Sequence, residues 1–454
     1  MNQVIVIGAG FSGIAAAKKL FEANIPFIVL EARERLGGRV FTKQLNQDLY
    51  LDFGGQWIGP SHDRMYALCE EFGIEYFETY DEGFNLLDLD QKVKKFKGLI
   101  PKMDILSLLN LDYVLKKLER MAKSIPLDSP WNHPKAMEFD SITLGAFVTS
   151  NCKTFACRKV ITLALETVFA SELNEISLLH GLFYIKSGRD LNTLINIKNG
   201  AQLHRIVGGM QTIIEKMAIP FKERIYFNHP VEKITKEKDD YLVTGRDFSF
   251  TAKRIIIAIP PPLAAKIEFQ PMLSVEKRQV MDRIAMGQVG KCFMIYQRPF
   301  WRDSGFSGQA FADGHSPFQS MFDTSPKDGK YGIILGFTIG KRAREYFQKS
   351  KEERKKLMLD KLVCYYGRDA AHPISYEDFT MTDEAWSRGC YAGLYPTGAW
   401  TGFQDAYSKT EGNIYWAGTE ASKIWFGYIE GAVRSGEQAA ENIILNLSEG
   451  AHKK

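Results

Sequence analysis

The sequence has no run of about 18 apolar residues, the length a helix needs to cross a bilayer. Its first apolar stretch begins at residue 3, which leaves no room for the charged segment and apolar core of a secretory signal. Cysteine is scarce, with six in 454 residues. Cys69, Cys152, Cys157, Cys292, Cys364 and Cys390 form no Cys-x-x-Cys pair and no metal-ligand spacing. A disulfide scaffold and a metal site are excluded on that count, and a reducing, cytoplasmic location is expected. Neither sign of charge dominates: 58 basic and 54 acidic side chains are interspersed and leave a formal charge of +4. With no basic stripe, nucleic acid is not expected as a partner. Absent too are G-x-S-x-G, H-E-x-x-H and the phosphate-binding P-loop. The eight histidines are scattered, and His62 and His180 read as surface or satisfied core residues rather than bases or ligands. With no protein acid, base or nucleophile standing out, a cofactor is the expected reagent.

What is present starts at Gln3. Val4 to Ile7 is a short β-branched run, read as a buried parallel strand. Gly8, Gly10 and Gly13 follow in G-x-G-x-x-G spacing. Such glycines serve a tight turn, the approach of a pyrophosphate to the backbone, and close packing of the next helix. That helix is expected to begin near Ser12, turning its N-terminal N–H groups toward the phosphates. Asn24 is its expected stop. A second strand from Pro26 to Leu30 ends in Glu31, where a carboxylate accepts hydrogen bonds from an adenosine ribose. Arg33, Leu36-Gly37-Gly38-Arg39 and the string Asp52 to Gly59 (DFGGQWIG) then add contacts that a nicotinamide dehydrogenase does not need. A long cofactor with a bulky ring system, a flavin, is therefore preferred.

The rest of the chain alternates in character. Helices are expected over Ile105 to Met121, Thr143 to Phe169, Ile176 to Ile185 and Ser350 to Tyr366. Strands are expected over Ile225 to Phe227, Pro230 to Ile234, Tyr241 to Thr244, Ser249 to Ala252, Arg254 to Ile259, Phe293 to Tyr296, Gln309 to Ala312 and Ile333 to Phe337. Ile414 to Ala417 reads as a strand and Gly431 to Leu447 as a closing helix. The expected fold is α/β (α+β), a Rossmann-like FAD-binding domain with an inserted substrate domain of mixed sheet and helices. The division expected is 1–79, 206–285 and 386–454 for the FAD-binding part, and 80–205 and 286–385 for the substrate part. Lys351 to Lys356 is read as a solvated helix face.

The segments GGR at Gly37 to Arg39 and GGQW at Gly54 to Trp57 resemble the second and third FAD contacts of the flavin-containing amine oxidases. The C-terminal strings WSRGCYAG, from Trp386, and AGTEASKIWFGYIEGA, from Ala417, narrow the resemblance to the monoamine oxidase branch. By that resemblance Cys390 is the flavin-linking cysteine, Tyr391 and Tyr428 are the paired active-site tyrosines, and Thr419, Glu420 and Glu430 fall in the second segment. Lys291, in GQVGKCFMIYQRPFW, falls at the lysine that holds a water against flavin N5. The resemblance makes Gly8, Gly10, Ser12, Gly13, Glu31, Arg33, Gly38, Arg39, Gly55, Gln56, Trp57, Val231, Cys390, Thr419, Glu420 and Ile429 the cofactor's contacts. It puts Thr167, Ile195 and Gln202 on the substrate, with the gating aromatic's place taken by Ser320 or Met321. On that alignment the cavity is expected to be more polar and less gated than in close relatives.

The resemblance implies an FAD-dependent amine oxidase, with an amine and O2 as partners and hydrogen peroxide as a product. Parallel aromatic rings at Tyr391 and Tyr428 suit an amine beside a flavin. Lys291 in a closed apolar site is expected to lose its charge through desolvation. The chain stops fourteen residues after Ala440, so no C-terminal membrane anchor is expected and a prokaryote-like version is implied; a homodimer is left open. The alternatives weighed are a polyamine or diamine oxidase, an amino-acid oxidase, a flavin desaturase, and a non-catalytic flavoprotein.

Overall fold

The computed structural model describes residues 2–451. Its first strand, Asn2–Ile7, buries Val4, Ile5, Val6 and Ile7 completely or nearly so, as a strand covered on both faces must. It pairs in parallel with Phe27–Leu30 on one side and Ser249–Ile257 on the other. The sheet runs in the order Ile225–Tyr226, Phe27–Leu30, Asn2–Ile7, Ser249–Ile257, Asp240–Thr244, Lys233–Glu237, Glu268–Gln270. Ile414–Trp416 also lies parallel to Ser249–Ile257. Three well-separated stretches of chain thus build one doubly wound sheet. Helix Phe11–Glu22 covers it together with Ile429–Ala451. A Cβ on Gly436 would lie 2.0 Å from the Ser12 carbonyl, so those two helices cross at backbone distance.

Two expected strands, Ser249 to Ala252 and Arg254 to Ile259, are one, Ser249–Ile257. No turn residue stands between them. The first half pairs antiparallel with Asp240–Thr244 and the second half parallel with Asn2–Ile7. The helix expected from Thr143 to Phe169 is instead two, Leu144–Asn151 and Phe155–Phe169. Thr154 interrupts it, because its hydroxyl accepts from the Cys157 N–H and so starts a new helix.

The second large sheet runs Ser375–Thr380, Val289–Tyr296, Gly332–Ile339, Ser320–Asp323, Phe306–Ala312, Phe84–Leu89, Lys92–Phe96. Only parts of three of these strands were legible in the sequence. Val289–Tyr296 and Gly332–Ile339 are buried along their whole length, so they show no alternation of apolar and polar residues. Side chains still alternate between faces. Cys292, Met294 and Tyr296 pack with Met358, Leu362 and Tyr365 of helix Lys351–Tyr366. Phe293 and Ile295 pack on the opposite face with Phe53, Leu335 and Phe337. Lys291 shares their parity, which turns it toward the interior cavity. Among the described residues no helix is long and apolar enough to cross a membrane.

Candidate active site

A cavity of about 530 Å³ runs from the glycine turn to the second sheet, within the usual range for a cofactor or ligand site. Gly8 holds a positive φ of 102°, where a Cβ would meet the Ala258 carbonyl at 2.7 Å. Gly13 does not touch the cavity; a Cβ there would lie 1.9 Å from the Gly8 carbonyl, so it serves the packing of strand and helix. Gly10 is different. It caps helix Phe11–Glu22, and the nearest atoms to a Cβ built there belong to Gly37 and Gly38, 3.9 Å or more away. That leaves an open backbone groove at a helix N-terminus, the place a diphosphate takes.

Beyond the groove, Glu31 is buried and accepts from the N–H groups of Ala9 (2.7 Å) and Arg33 (2.9 Å). Two such bonds and the Arg33 guanidinium do not exhaust the roughly four acceptor sites of a carboxylate. His229, Pro230 and Val231 wall this end. Arg33 itself is held by Glu384 and Ser387. Ser12, Gly38, Gly55, Thr419 and Ile429 also reach the cavity wall. Thr419 donates its hydroxyl to the Tyr428 carbonyl at 3.0 Å.

Glu420 does not line the cavity. Its buried carboxylate takes both ends of the Arg39 guanidinium and also accepts from the Gly393 N–H at 2.9 Å. Burial alone would disfavour the charge on Arg39, but the Glu420 carboxylate outweighs it and raises the Arg39 pKa. Glu430, from the same segment, is also withdrawn from the site. It accepts from the N–H groups of Arg64 (3.2 Å) and Met65 (3.0 Å), at the start of helix Asp63–Glu71. The resemblance put Glu420 on the cofactor, whereas both acids of that segment serve as braces.

At the far end Lys291 Nζ donates to the carbonyls of Asp52 (2.8 Å) and Gly54 (2.7 Å) and to Gln56 Oε1. Desolvation lowers its pKa to about 7, with the Asp52 carboxylate pulling up and Arg205 pushing down. All three donors of the ammonium are thus met by protein acceptors, so a water reaches Nζ only by displacing one. Trp57 packs edge-on to Phe322 and beside Phe337, and Lys291 Nζ lies 5.7 Å from its ring centroid. The Gln56 Nε2 is buried at this wall with no partner among the described residues.

Cys390 and Tyr391 follow on the wall, joined by a cis peptide bond that the sequence did not disclose. Burial pushes the Cys390 thiol up to about 11, against the nearby charges of Arg39 and Lys291. Burial likewise raises the phenols of Tyr391 and Tyr428. Tyr184, which sequence reasoning missed, stands with them: its ring centroid is 6.1 Å from that of Tyr428.

Thr167, Ile195 and Gln202 all line the cavity. The Thr167 hydroxyl is spent on the Leu163 carbonyl at 2.8 Å, so it offers the cavity a methyl group. Gln202 Nε2 donates to the Leu194 carbonyl at 3.1 Å, whereas its Oε1 is buried with no partner among the described residues. The expectation at Ser320 and Met321 is overturned. Neither reaches the wall; the aromatics there are Phe311 and Phe322. Leu111, Leu115, Val160, Ile161, Leu163 and Ala164 complete this end, which is apolar rather than polar. The missing signal was register: a motif alignment without the strand pairing put Ser320 and Met321 at the wall.

An adenine dinucleotide with a flavin ring fits these features. The groove at Gly10 suits its diphosphate, the open acceptor sites of Glu31 its ribose, and the unpartnered Gln56 amide the polar edge of its ring. Comparisons with known proteins agree. A cyclohexylamine oxidase from Brevibacterium oxydans superposes with a TM-score of 0.94 at 28% identity, covering 98% of this chain and 99% of that one. A putrescine oxidase bound to putrescine superposes with a TM-score of 0.93 at 27% identity and the same coverage. The flavin-containing amine oxidase B of Sus scrofa is 34% identical over 446 residues, 97% of this chain and 86% of that one. The family model for flavin containing amine oxidoreductases matches residues 11–444, and the chain belongs to that family.

Proposed function

We propose that this FAD-dependent amine oxidase acts on monoamines with an apolar body. The observation that carries the reading is the charge inventory of the wall. Among the described lining residues the one carboxylate is Glu31, at the glycine end, and the cationic side chains are Arg33, Arg39, Lys266 and Lys291; both arginines are paired with glutamates, Lys291 Nζ is held by three acceptors, and Lys266 belongs to the wall stretch from Ala258 to Ile267 that abuts Gly8. A diamine needs an acceptor for its distal ammonium, and burying that charge without one is costly. An amino acid needs a free cation for its carboxylate beside Tyr391, Tyr428 and Gln202, away from the glycine end where Lys266 stands. An apolar tail needs only Leu163, Ala164, Ile195, Phe311 and their neighbours.

The contacts support the following roles. Gln202 Oε1 accepts a hydrogen bond from the substrate nitrogen. Tyr391 and Tyr428 flank that nitrogen with their π faces and exclude water around it. When bound, FAD supplies the two-electron chemistry, accepting hydride from the carbon next to nitrogen and yielding electrons to O2. Lys291, close to neutrality, holds or relays a proton at its Nζ. Gly10, Ser12, Glu31, Gly38, Arg39, Gly55, Gln56, Trp57, Val231 and Ile429 would hold the cofactor, and Cys390 would tether it through a thioether. Segments 1–79, 206–285 and 386–454 would form the cofactor side, with 80–205 and 286–385 the substrate side. The six unpaired cysteines support a reducing compartment.

A peroxide-release screen tests the substrate class. Aralkyl and cycloalkyl monoamines should outpace putrescine and amino acids by about a hundredfold in kcat/KM, the scale set by a buried unpaired charge. Faster turnover of putrescine would overturn the assignment.

A further inference from the structure

Asp52 meets the flavin end of the cavity twice. Its carbonyl accepts from Lys291 Nζ at 2.8 Å, while its carboxylate is buried behind the wall, at 2% exposure, and does not line the cavity. The Asp52 Oδ1 accepts from the Thr42 hydroxyl at 2.5 Å and from the Met210 N–H at 3.0 Å. Thr42 in turn accepts from the Gln211 N–H at 3.1 Å. The start of helix Gln211–Ala218 thus directs free N–H groups at this corner, where a negative charge is favoured. Gly209 makes the approach possible: its φ is 92°, and a Cβ there would lie 2.2 Å from Thr42 Cγ2 and 3.0 Å from Asp52 Oδ1.

The other carboxylate oxygen, Oδ2, is buried with no partner among the described residues. Around the lysine the walls are aromatic, with the Phe337 and Trp57 ring centroids 5.5 and 5.7 Å from Nζ. In such surroundings a charge acts more strongly on its neighbours than it does in water. Asp52 is the one carboxylate that acts on Lys291. The other titratable groups facing the two are Arg205, from strand His204–Ile206, which acts on both; Cys390, which faces Lys291; and Tyr50, on the strand that Asp52 ends. Arg205 is turned to the Ser325 carbonyl at 2.9 Å and Tyr50 to the Ile206 carbonyl at 3.0 Å.

Burial raises the Asp52 carboxyl and lowers the Lys291 ammonium, and each pulls the other back toward its charged form. The protonation of one is therefore tied to that of the other. The contacts of Nζ point the same way. Two carbonyls and the Gln56 amide oxygen surround it, which matches the three donors of an ammonium, whereas a neutral amine leaves one acceptor unmet.

We propose that Asp52 is the positioning residue of Lys291: its carbonyl fixes where Nζ lies, and its carboxylate, held by Thr42 and Met210, sets how tightly Nζ keeps its proton. Asp52 touches no reacting atom and acts only through the lysine. With Lys291 holding or relaying a proton while the flavin is reoxidised, Asp52 would also set the pH at which that step runs. This second statement rests on the proton role proposed for Lys291; the setting of its charge does not.

Asp52→Asn in the FAD-loaded full chain tests it. The substitution keeps the carbonyl and the shape, and the new amide oxygen can still accept from Thr42 and Met210. The readout is the pH below which the stability difference between each protein and its Lys291→Met derivative levels off, about 7 with Asp52 in place. Without the negative charge Lys291 gives up its proton more readily, so this break should fall by about one pH unit or more, a tenfold weaker hold on the proton. Asp52→Ser, a second neutral replacement, should lower it likewise. Asp52→Glu disturbs the packing but keeps the charge, and should leave the break near that of the wild type. A break that neither neutral variant moves, or that Asp52→Glu lowers as far as they do, would overturn the proposal. Rapid mixing of the reduced, FAD-loaded protein with oxygen tests the second statement: the pH midpoint of reoxidation should move with the break. A break that moves while the reoxidation profile stays in place would overturn the proton role of Lys291 and leave the assignment of Asp52 standing.

Discussion

Arg39 and Glu420, 381 positions apart in sequence, meet in a two-point ion pair with Nη2 3.0 Å from Oε2. Arg39 Nη1 also donates to the Tyr391 carbonyl at 3.0 Å. One guanidinium therefore ties the GGR turn near the N-terminus to the last strand's exit and to the tyrosine beside the flavin site. The pair is a brace across the cofactor cavity, and its fully buried partner is Glu420.

Glu420→Ala leaves Arg39 without its counter-ion. Removing one partner of a buried pair costs about 3 to 5 kcal/mol, so urea unfolding should show a loss on that scale together with reduced FAD retention. Adding Arg39→Met should recover part of the stability. A single variant within about 0.5 kcal/mol of the wild type would contradict the brace.

Lys291 gives a pH signature. Its pKa falls from the ordinary 10.5 to about 7, through desolvation first, so between those values the folded chain binds fewer protons than the unfolded chain. Stability relative to Lys291→Met should therefore rise with pH across that window, by about 1.4 kcal/mol per unit, and level off below pH 7. A difference that is flat from pH 7 to 10 would contradict a neutral Lys291. The variant is the necessary reference, because Lys277 titrates in the same window.

Gln202→Leu removes the unpartnered acceptor on the cavity wall that we propose for the substrate nitrogen. Loss of one such bond is worth about 1 to 1.5 kcal/mol, so the KM for a monoamine should rise about tenfold. Steady-state kinetics with an unchanged KM would remove Gln202 from substrate recognition.

Cys390 decides whether the flavin is tethered. Acid precipitation should leave the yellow colour in the pellet for the wild type and release it for Cys390→Ala. The thiol's pKa near 11 in this environment means that the attacking thiolate is scarce at neutral pH, so attachment should accelerate as pH rises. All colour in the supernatant from the wild type would end the claim.

Gly8, Gly10, Gly13 and Glu31 were legible because each answers a local demand of one strand, one turn and one helix. Lys291 was legible only through its motif. Its direction follows from the pleat of Val289–Tyr296, which the sequence conceals because every residue of that strand is buried. Glu420 was placed on the cofactor for a related reason: it lies in a motif next to a true wall residue, Thr419, yet turns away to satisfy a buried donor, as Glu430 does beside Ile429. Ser320 and Met321 were expected at the wall, where Phe322 stands instead, because strand register is a long-range property that sequence spacing does not encode.

The most direct measurement is anaerobic mixing of the purified FAD-loaded protein with benzylamine. The account predicts that the yellow flavin band bleaches in a single turnover, that admitting oxygen restores it with release of one equivalent of hydrogen peroxide, and that putrescine bleaches it far more slowly. A flavin band that benzylamine and other apolar monoamines leave unchanged would contradict the account.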